Sequence, residues 1–411
     1  MNKNYLLLCL ILLFTSSSFQ VFSQEKCSAS IKKQERLQDV KVAERVARIE
    51  AFTQQWIQDN QHTTQRTVVT IPVVVHVLSH STVGNISDAQ IQSQFVVLNN
   101  DFRKTNSNFS STPTAFQGVA ADTEIEFCLA SQDPNGNTTT GITRTSVAND
   151  FNYEDDYFNI AKGGKAAWDN TKYLNVWIAD LDPTLLGFAT PPGTATVDDG
   201  AVINYRAWGT IGAVTMPSHL GRTATHEIGH YLNLEHVWGV NGGCSDDDLV
   251  ADTPNQNDES GGCPTFPLLD NCTASGDGVM FNNYMDYSDD DCMTMFTAGQ
   301  KARMLAALNG PRVGLLTSTG CAGAANTKNV LNIPININPN PARNHFTIQA
   351  QTAEDLQVEI INMVGQTIRI AKIPQGQKEI IINTTDFNTG IYFVKISTKY
   401  LSKTHKIVIA K

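Results

Sequence analysis

The residues of this chain best equipped for chemistry lie in HEIGHYLNLEH, positions 226 to 236. His226 and His230 are four apart, and at 3.6 residues per turn a helix carries both imidazoles on one face, where they can share a metal ion. His236 comes six residues later and cannot lie on that face, so the helix must stop and the chain must turn back. Such a turn needs a residue in the left-handed conformation, and Asn233 occupies the place. After glycine, asparagine tolerates it best, at a cost of about 1 kcal/mol or less. Three neutral imidazoles form a zinc ligand set with a fourth position left for water, whose pKa on such a metal falls towards about 7. Glu227, beside the first ligand, is then placed to take a proton from that water as a general base. The other histidines (His62, His76, His80, His219, His345 and His405) lie in strands, loops or outlying regions and read as packed or solvated.

The flanking elements must hold this motif still. TVVTIPVVVHVL is β-branched and apolar, typical of a strand, and EIEFCLA and YLNVWIADL read as further strands. Ser87 caps a helix whose apolar face is Ile91, Phe95, Leu98 and Phe102. The histidine motif opens a helix at about Arg222. A last helix starts at Thr297, where Thr297 and Gln300 have capping-box spacing, and GPRV ends it. Strands alternating with helices predict a mixed α/β domain. Upstream, residues 31 to 60 carry Leu37, Val40, Val46, Ile49, Phe52 and Trp56 at roughly helical spacing, which predicts one charged amphipathic helix.

At 411 residues the chain exceeds one ordinary domain. A hydrophobic fraction of 41% with 17% charged residues is that of a globular protein, and a formal charge of −10 disfavours nucleic acid or an anionic membrane as partner. Lys3 followed by the short apolar run Leu6 to Phe14 reads as an export signal, too short to span a bilayer, and no later stretch is apolar enough to do so. Residues 1–23 are therefore expected to be a signal peptide, 24–66 a pro-segment ending near Arg66, 67–321 the catalytic domain, 322–330 a linker and 331–411 a β-sandwich. Export favours disulfides. Cys27, Cys128, Cys244, Cys263, Cys272, Cys292 and Cys321 remain after the signal, an odd number that becomes even if the pro-segment with Cys27 is removed. Cys27 is a candidate thiolate cap for the metal, the alternative being an incidental linker cysteine. The four cysteines between 244 and 292 admit three pairings that spacing cannot distinguish.

HEIGHYLNLEH together with NNYMDYSDDDCM (282 to 293) resembles the metzincin zinc peptidases, and more narrowly the pappalysin family. The likeness runs over residues 70 to 320 and includes IPVVVHVL, VADTP, the four cysteines and FTAGQKARM. Asn233 departs from the glycine usual there. The resemblance implies an α/β (α+β) metzincin domain with a twisted mixed sheet and an active-site helix, and a secreted zinc-dependent endopeptidase acting on proteins or peptides. It implies Met285 in a tight turn beneath the metal and Tyr287 as a phenol able to approach zinc or bind the oxyanion. It also implies crossed bridges Cys244–Cys272 and Cys263–Cys292, which leaves Cys128 with Cys321. Family members bind calcium near CSDDDLVADTP, where Asp248, Asp252 and Thr253 offer hard oxygen ligands. Asp291 falls where similar peptidases line the pocket for the residue after the cut bond, and a carboxylate there favours Arg or Lys. The substrate is expected to add as a strand near Leu185 to Ala189.

Beyond AGAANTKN, INPNPARNHFTI, LQVEIINMVGQTIRI, KEIIINTT, GIYFVKIS and KTHKIVIAK are β-rich runs separated by turns, the pattern of a small all-β sandwich. They resemble the C-terminal sorting domains of type IX secretion, which implies that secretion machinery as a partner. The rival reading is a surface adhesion or binding protein whose zinc site is only structural.

Overall fold

The computed structural model describes residues 26–61, 68–195, 197–321, 333–350, 355–363, 366–398 and 402–411. The expected signal peptide, Arg66 and the expected linker 322–330 lie outside them. The chain begins with two helices, α1 (Ala29–Arg36) and α2 (Val40–Asn60), where sequence periodicity predicts one. Asp39 causes the break: its side chain accepts a hydrogen bond from the Lys41 N–H, so it restarts the helix as an N-cap.

A six-stranded sheet is built around β1 (Val69–Ser79). Almost all of β1 is buried, and it pairs in parallel with β2 (Ile125–Leu129), β3 (Ile142–Ser146) and β4 (Leu174–Ala179). A strand covered on both faces reads as a continuous apolar run rather than an alternating one. His76, in its middle, bonds Thr143 Oγ1 at 2.8 Å and Asn175 Oδ1 at 3.0 Å, and burial pushes its pKa down to about 4. It is a satisfied, neutral core histidine. The sheet continues through β6 (Ala201–Asn204) to β5 (Gly187–Ala189), an antiparallel edge strand.

Helix α3 (Asp88–Phe102) starts where Ser87 Oγ accepts from the Gln90 N–H, and buries Ile91, Phe95, Leu98 and Phe102 in the main core. The short α4 (Thr114–Gln117) follows, and then, after the sheet, α5 (Arg222–Tyr231) and α6 (Ala298–Asn309). Both halves of the Thr297/Gln300 capping box are made at the start of α6. Between α5 and α6, residues 232–297 contain no helix or named strand. So long an irregular stretch needs other ties. Cys244–Cys272 and Cys263–Cys292 supply two, and Cys128–Cys321 fastens the end of this unit to β2.

The last region is all antiparallel. Strands β7 (Ile335–Asn338), β8 (His345–Ala350) and β11 (Glu379–Asn383) make one sheet. Strands β9 (Leu356–Asn362), β10 (Thr367–Ile373), β12 (Gly390–Ser397) and β13 (Ser402–Ile409) make the other. Alternate residues such as Phe346, Ile348, Val358, Ile360, Val394 and Ile396 form its core. No helix among the described residues is long and apolar enough to cross a membrane.

Candidate functional site

Helix α5 puts His226 and His230 on one face, then stops at Tyr231. The Asn233 N–H bonds His230 O and the Leu234 N–H bonds Gly229 O, both at 3.0 Å, while Asn233 sits at φ 74°, so the chain folds back and returns His236 to the helix. The three Nε2 atoms lie 3.1, 3.1 and 3.2 Å from one another. The Nδ1 atoms of His226 and His230 face the carbonyls of Tyr284 and Leu234, each at 2.8 Å. A carbonyl can only accept, so those Nδ1 atoms carry the protons and both Nε2 atoms present lone pairs. Burial, reinforced for His226 and His236 by the neighbouring imidazoles, pushes these two well down and His230 to about 4. Converging neutral nitrogens fit a cation at their centre. Nitrogens about 2.05 Å from a tetrahedral zinc stand about 3.3 Å apart, close to the observed spacing.

Met285 lies directly beneath. A side chain at Gly229 would collide with its Sδ, so the glycine of the motif is what lets the helix rest on the methionine. Glu227 is fully buried, and burial pushes its pKa up to about 8; its Oε1 has no partner among the described residues. Tyr287 packs edge-on to His236 with ring centroids 5.1 Å apart.

Residues 26–30 occupy the cleft. Cys27 pairs in parallel with Gly187 of β5, with Leu186 N–H to Lys26 O at 2.9 Å and Ser28 N–H to Gly187 O at 3.3 Å. The Cys27 sulfur and the three histidine nitrogens all lie within 4.8 Å of one another. The thiol also reaches Glu227 Oε2 at 3.4 Å, Tyr287 Oη donates to Cys27 O at 3.0 Å, and Ser30 Oγ sits 3.2 Å from His236 Nδ1. Lys26 Nζ donates to Tyr287 O at 2.7 Å and lies 3.6 Å from Asp289.

Among the acidic residues singled out from sequence, placement differs. Asp291 is exposed and stands off the cavity beside the histidines. Its neighbour Asp290 lines that cavity, buried, accepting from Leu220 N–H at 2.7 Å and Arg222 N–H at 3.3 Å, with its pKa pushed up to about 6 by burial. Of these two adjacent acids, Asp290 and not Asp291 reaches the cavity. Thr253 Oγ1 donates within 2.8 to 2.9 Å of both Asp248 oxygens and stands 2.8 Å from Val250 O, which gathers three kinds of hard oxygen. Asp252 accepts from Gly299 N–H at 2.9 Å through one oxygen at the start of α6, and its Oδ1 has no partner among the described residues.

Three contributors escaped the sequence reading. Trp238 stacks on His236, centroids 4.4 Å apart and planes 9° from parallel, and packs edge-on to Tyr287. Asp286 accepts from Tyr287 N–H at 2.7 Å, Ser260 N–H at 2.8 Å and Gln256 Nε2 at 3.0 Å, which ties the cysteine-rich loop to the turn carrying Met285. Asp101 of α3 accepts from Arg222 and Thr225 of α5, a buried pair anchoring the helix start. Trp238, two residues past a ligand, and Asp286, between Met285 and Tyr287, carry a local signal, whereas Asp101 carries none.

Comparison with known proteins agrees with this geometry. The family described as pregnancy-associated plasma protein-A matches residues 159–309, and that described as secretion system C-terminal sorting domain matches 336–410. An extracellular metalloprotease of Arthroderma otae is 35% identical over 256 residues, covering 60% of this chain and 80% of that protein. Mature mirolysin of Tannerella forsythia, in complex with a cleaved peptide, is 47% identical with a TM-score of 0.60, covering 62% of this chain and 97% of that one. A mutant of Tannerella forsythia promirolysin is 42% identical with a TM-score of 0.62, covering 71% and 97%.

Proposed function

The chain belongs to the pappalysin family of zinc metallopeptidases and is a secreted zinc metalloendopeptidase; from that premise we propose that Glu227 is its general base, Tyr287 its oxyanion donor, and residues 24–66 a pro-segment that blocks both. Zinc held by His226, His230 and His236 would supply Lewis acidity, lowering the pKa of water and polarising a carbonyl. Glu227 takes the proton of the attacking water and delivers it to the leaving amine, a role suited to a carboxylate held in an apolar enclosure. Tyr287 Oη donates to the carbonyl oxygen of the bond under attack. The single observation that carries this reading is its contact with Cys27 O at 3.0 Å, because that carbonyl, beside the histidine cluster, stands in for a substrate's. The edge of β5, paired now with Lys26 to Ser28, is the strand to which substrate backbone adds.

A closed set of one cysteine and three histidines is the form of a structural zinc site. Here the fourth member comes from the N-terminal stretch, some 200 residues before the helix and turn that hold the histidines, which supports removable latency over a permanent structural metal. The promirolysin match covers 71% of this chain against 62% for mature mirolysin, a difference close to the length of residues 26–61. Domain limits follow as 1–23 signal, 24–66 pro-segment, 67–321 catalytic, 322–330 linker and 331–411 sorting domain, the last addressed to type IX secretion.

Asp290 is the carboxylate for an Arg or Lys after the cut bond, since it is buried in the wall of the cavity beside the histidines. Calcium fits Asp248, Thr253 and Val250 O, with Asp252 bracing the loop on α6. Adding a calcium-selective chelator should lower the melting temperature without removing zinc; an unchanged melting temperature contradicts the site. For the main reading, 1,10-phenanthroline should abolish casein cleavage by the processed enzyme, with recovery on adding zinc. Cleavage that survives a demonstrated loss of zinc would sink it.

A further inference from the structure

The far side of the zinc turn is held by two buried arginines. At the end of α5, Arg312 Nε donates to Tyr231 O at 2.6 Å, and the guanidinium lies over the Tyr231 ring, 3.3 Å from its centroid. Two residues on, Arg303 Nε donates to Asn233 O at 3.2 Å. Cations suit this place, because the last carbonyls of a helix have no partners within it and carry partial negative charge. Each arginine needs a carboxylate in turn. Arg312 has Asp199, at 2.9 and 3.0 Å, from its own unit. Arg303, whose side chain is 1% exposed, has Glu50 of α2, at 2.9 and 2.8 Å.

Helix α2 makes a second contact with the same turn. Asn233 Nδ2 donates to Thr53 Oγ1 at 3.2 Å, and Thr53 is fully buried. Asn233 therefore has its backbone carbonyl held by an arginine that α2 neutralises and its side chain held by α2 directly. Phe52 packs so closely on Gly310, and Ile49 on Gly193, that a side chain at either glycine would strike them. None of these contacts involves the cleft, Cys27 or the metal position.

We propose that Glu50 and Thr53 form a second anchor of the N-terminal segment, one that grips Arg303 and Asn233 behind the third zinc ligand and holds independently of the metal and of Cys27. The proposal rests on reading residues 24–66 as a pro-segment, and it deepens that reading. The segment is fastened at both faces of the His236 turn, so releasing the thiol from the front leaves α2 seated at the back. Asparagine at the left-handed position acquires a purpose that glycine could not serve, because it offers α2 a side-chain donor. Once the segment departs, Arg312 keeps its carboxylate and Arg303 does not.

The test uses the intact full-length chain and hydrogen exchange of residues 40–60. Wild type, Cys27→Ser and zinc-stripped wild type should all keep these amides protected. Glu50→Gln combined with Thr53→Val should raise their exchange at least tenfold while the amides of 335–409 stay unchanged. Asn233→Gly, which probes the anchor from the other side, should raise it by a smaller factor. The anchor is refuted if Glu50→Gln with Thr53→Val leaves exchange at 40–60 as in wild type, or if Cys27→Ser or zinc removal alone raises it as much. Latency is judged separately, from casein cleavage by the intact chain before and after added trypsin. An intact chain as active as the processed one removes the pro-segment reading, whereas the exchange data decide the anchor either way.

Discussion

Two regions meet at the zinc centre, and they are held in different ways. Beneath the histidine cluster, Asp101 with Arg222, and Asp286 and Asp290 with their backbone donors, are buried, Asp199 is half-buried against Arg312, and all belong to one unit. Above it, residues 26–60 are attached at the front by short backbone pairing and by charged side chains, Lys26 with Asp289, Lys32 with Asp155, Lys33 with Glu235 and Arg36 with Asp198, and at the back by Glu50 on Arg303. Breaking a buried pair by removing one partner costs about 3–5 kcal/mol, whereas an exposed pair contributes about 0–1 kcal/mol. Of the rim pairs, Lys32–Asp155 is the plainest example, with its carboxylate 70% exposed. The proposal that residues 24–66 are a pro-segment makes the floor the lasting part and the cover the removable one. Substitutions in the floor should lower activity, and substitutions in the cover should raise that of the intact chain.

The largest departure expected from this contrast, short of removing the base, is Tyr287→Phe. Losing one oxyanion donor typically lowers kcat by about 100- to 1000-fold, with KM little changed, in steady-state cleavage of a fluorogenic peptide by the processed enzyme. Cys27→Ser acts on the opposite face and in the opposite sense. The intact chain should gain roughly tenfold or more in initial peptide cleavage, because a hydroxyl is a poorer zinc ligand than a thiolate. A smaller effect is expected from Asp290→Asn, which should cut the preference for Arg or Lys after the scissile bond by about tenfold in library profiling, at the low end of the roughly 1.5–3 kcal/mol of a hydrogen bond to a charged group. Unchanged profiles would return the role to another acid.

The smallest effect concerns pH and the cover alone. Burial works against the charge of Glu50, but the hydrogen bonds and charge of Arg303 outweigh it and hold its carboxyl below the usual range. A carboxyl with a depressed folded value contributes fully above its unfolded value, about 4.3 for glutamate, and the contribution is lost as pH falls through the folded value. Docking of α2 should thus be unaffected down to about pH 5 and weaken only in stronger acid. Small-angle scattering of the intact chain should show an acid expansion that Glu50→Gln, lacking the titrating group, does not share. An identical acid response in both would assign the effect to other carboxylates.

How much of this was legible beforehand depended on the kind of order involved. Periodicity gave the central strand β1, the Ser87 and Thr297 caps and the helical spacing of His226 and His230, because each is local to a few residues. Local chemistry also placed Asn233 at its left-handed turn. The register of SDDD at 288–291 was not legible: the loop has no repeating geometry, and only the fold shows that Asp290 turns into the cavity while Asp291 faces solvent. Partners distant in sequence, such as Asp101 and Arg222 or Glu50 and Arg303, leave no local trace. The break between α1 and α2 is hidden in the hydrophobic spacing, which carries across it, and is set by the cap at Asp39.

The most direct test of the account is the processed Glu227→Gln enzyme, with zinc content and peptide hydrolysis measured on the same preparation. Zinc should remain at one ion per chain, as the three histidines are untouched, and hydrolysis should fall about 100- to 10,000-fold, the usual contribution of a positioned general base. Full zinc with hydrolysis within tenfold of wild type would contradict the assignment of Glu227 and with it the mechanism.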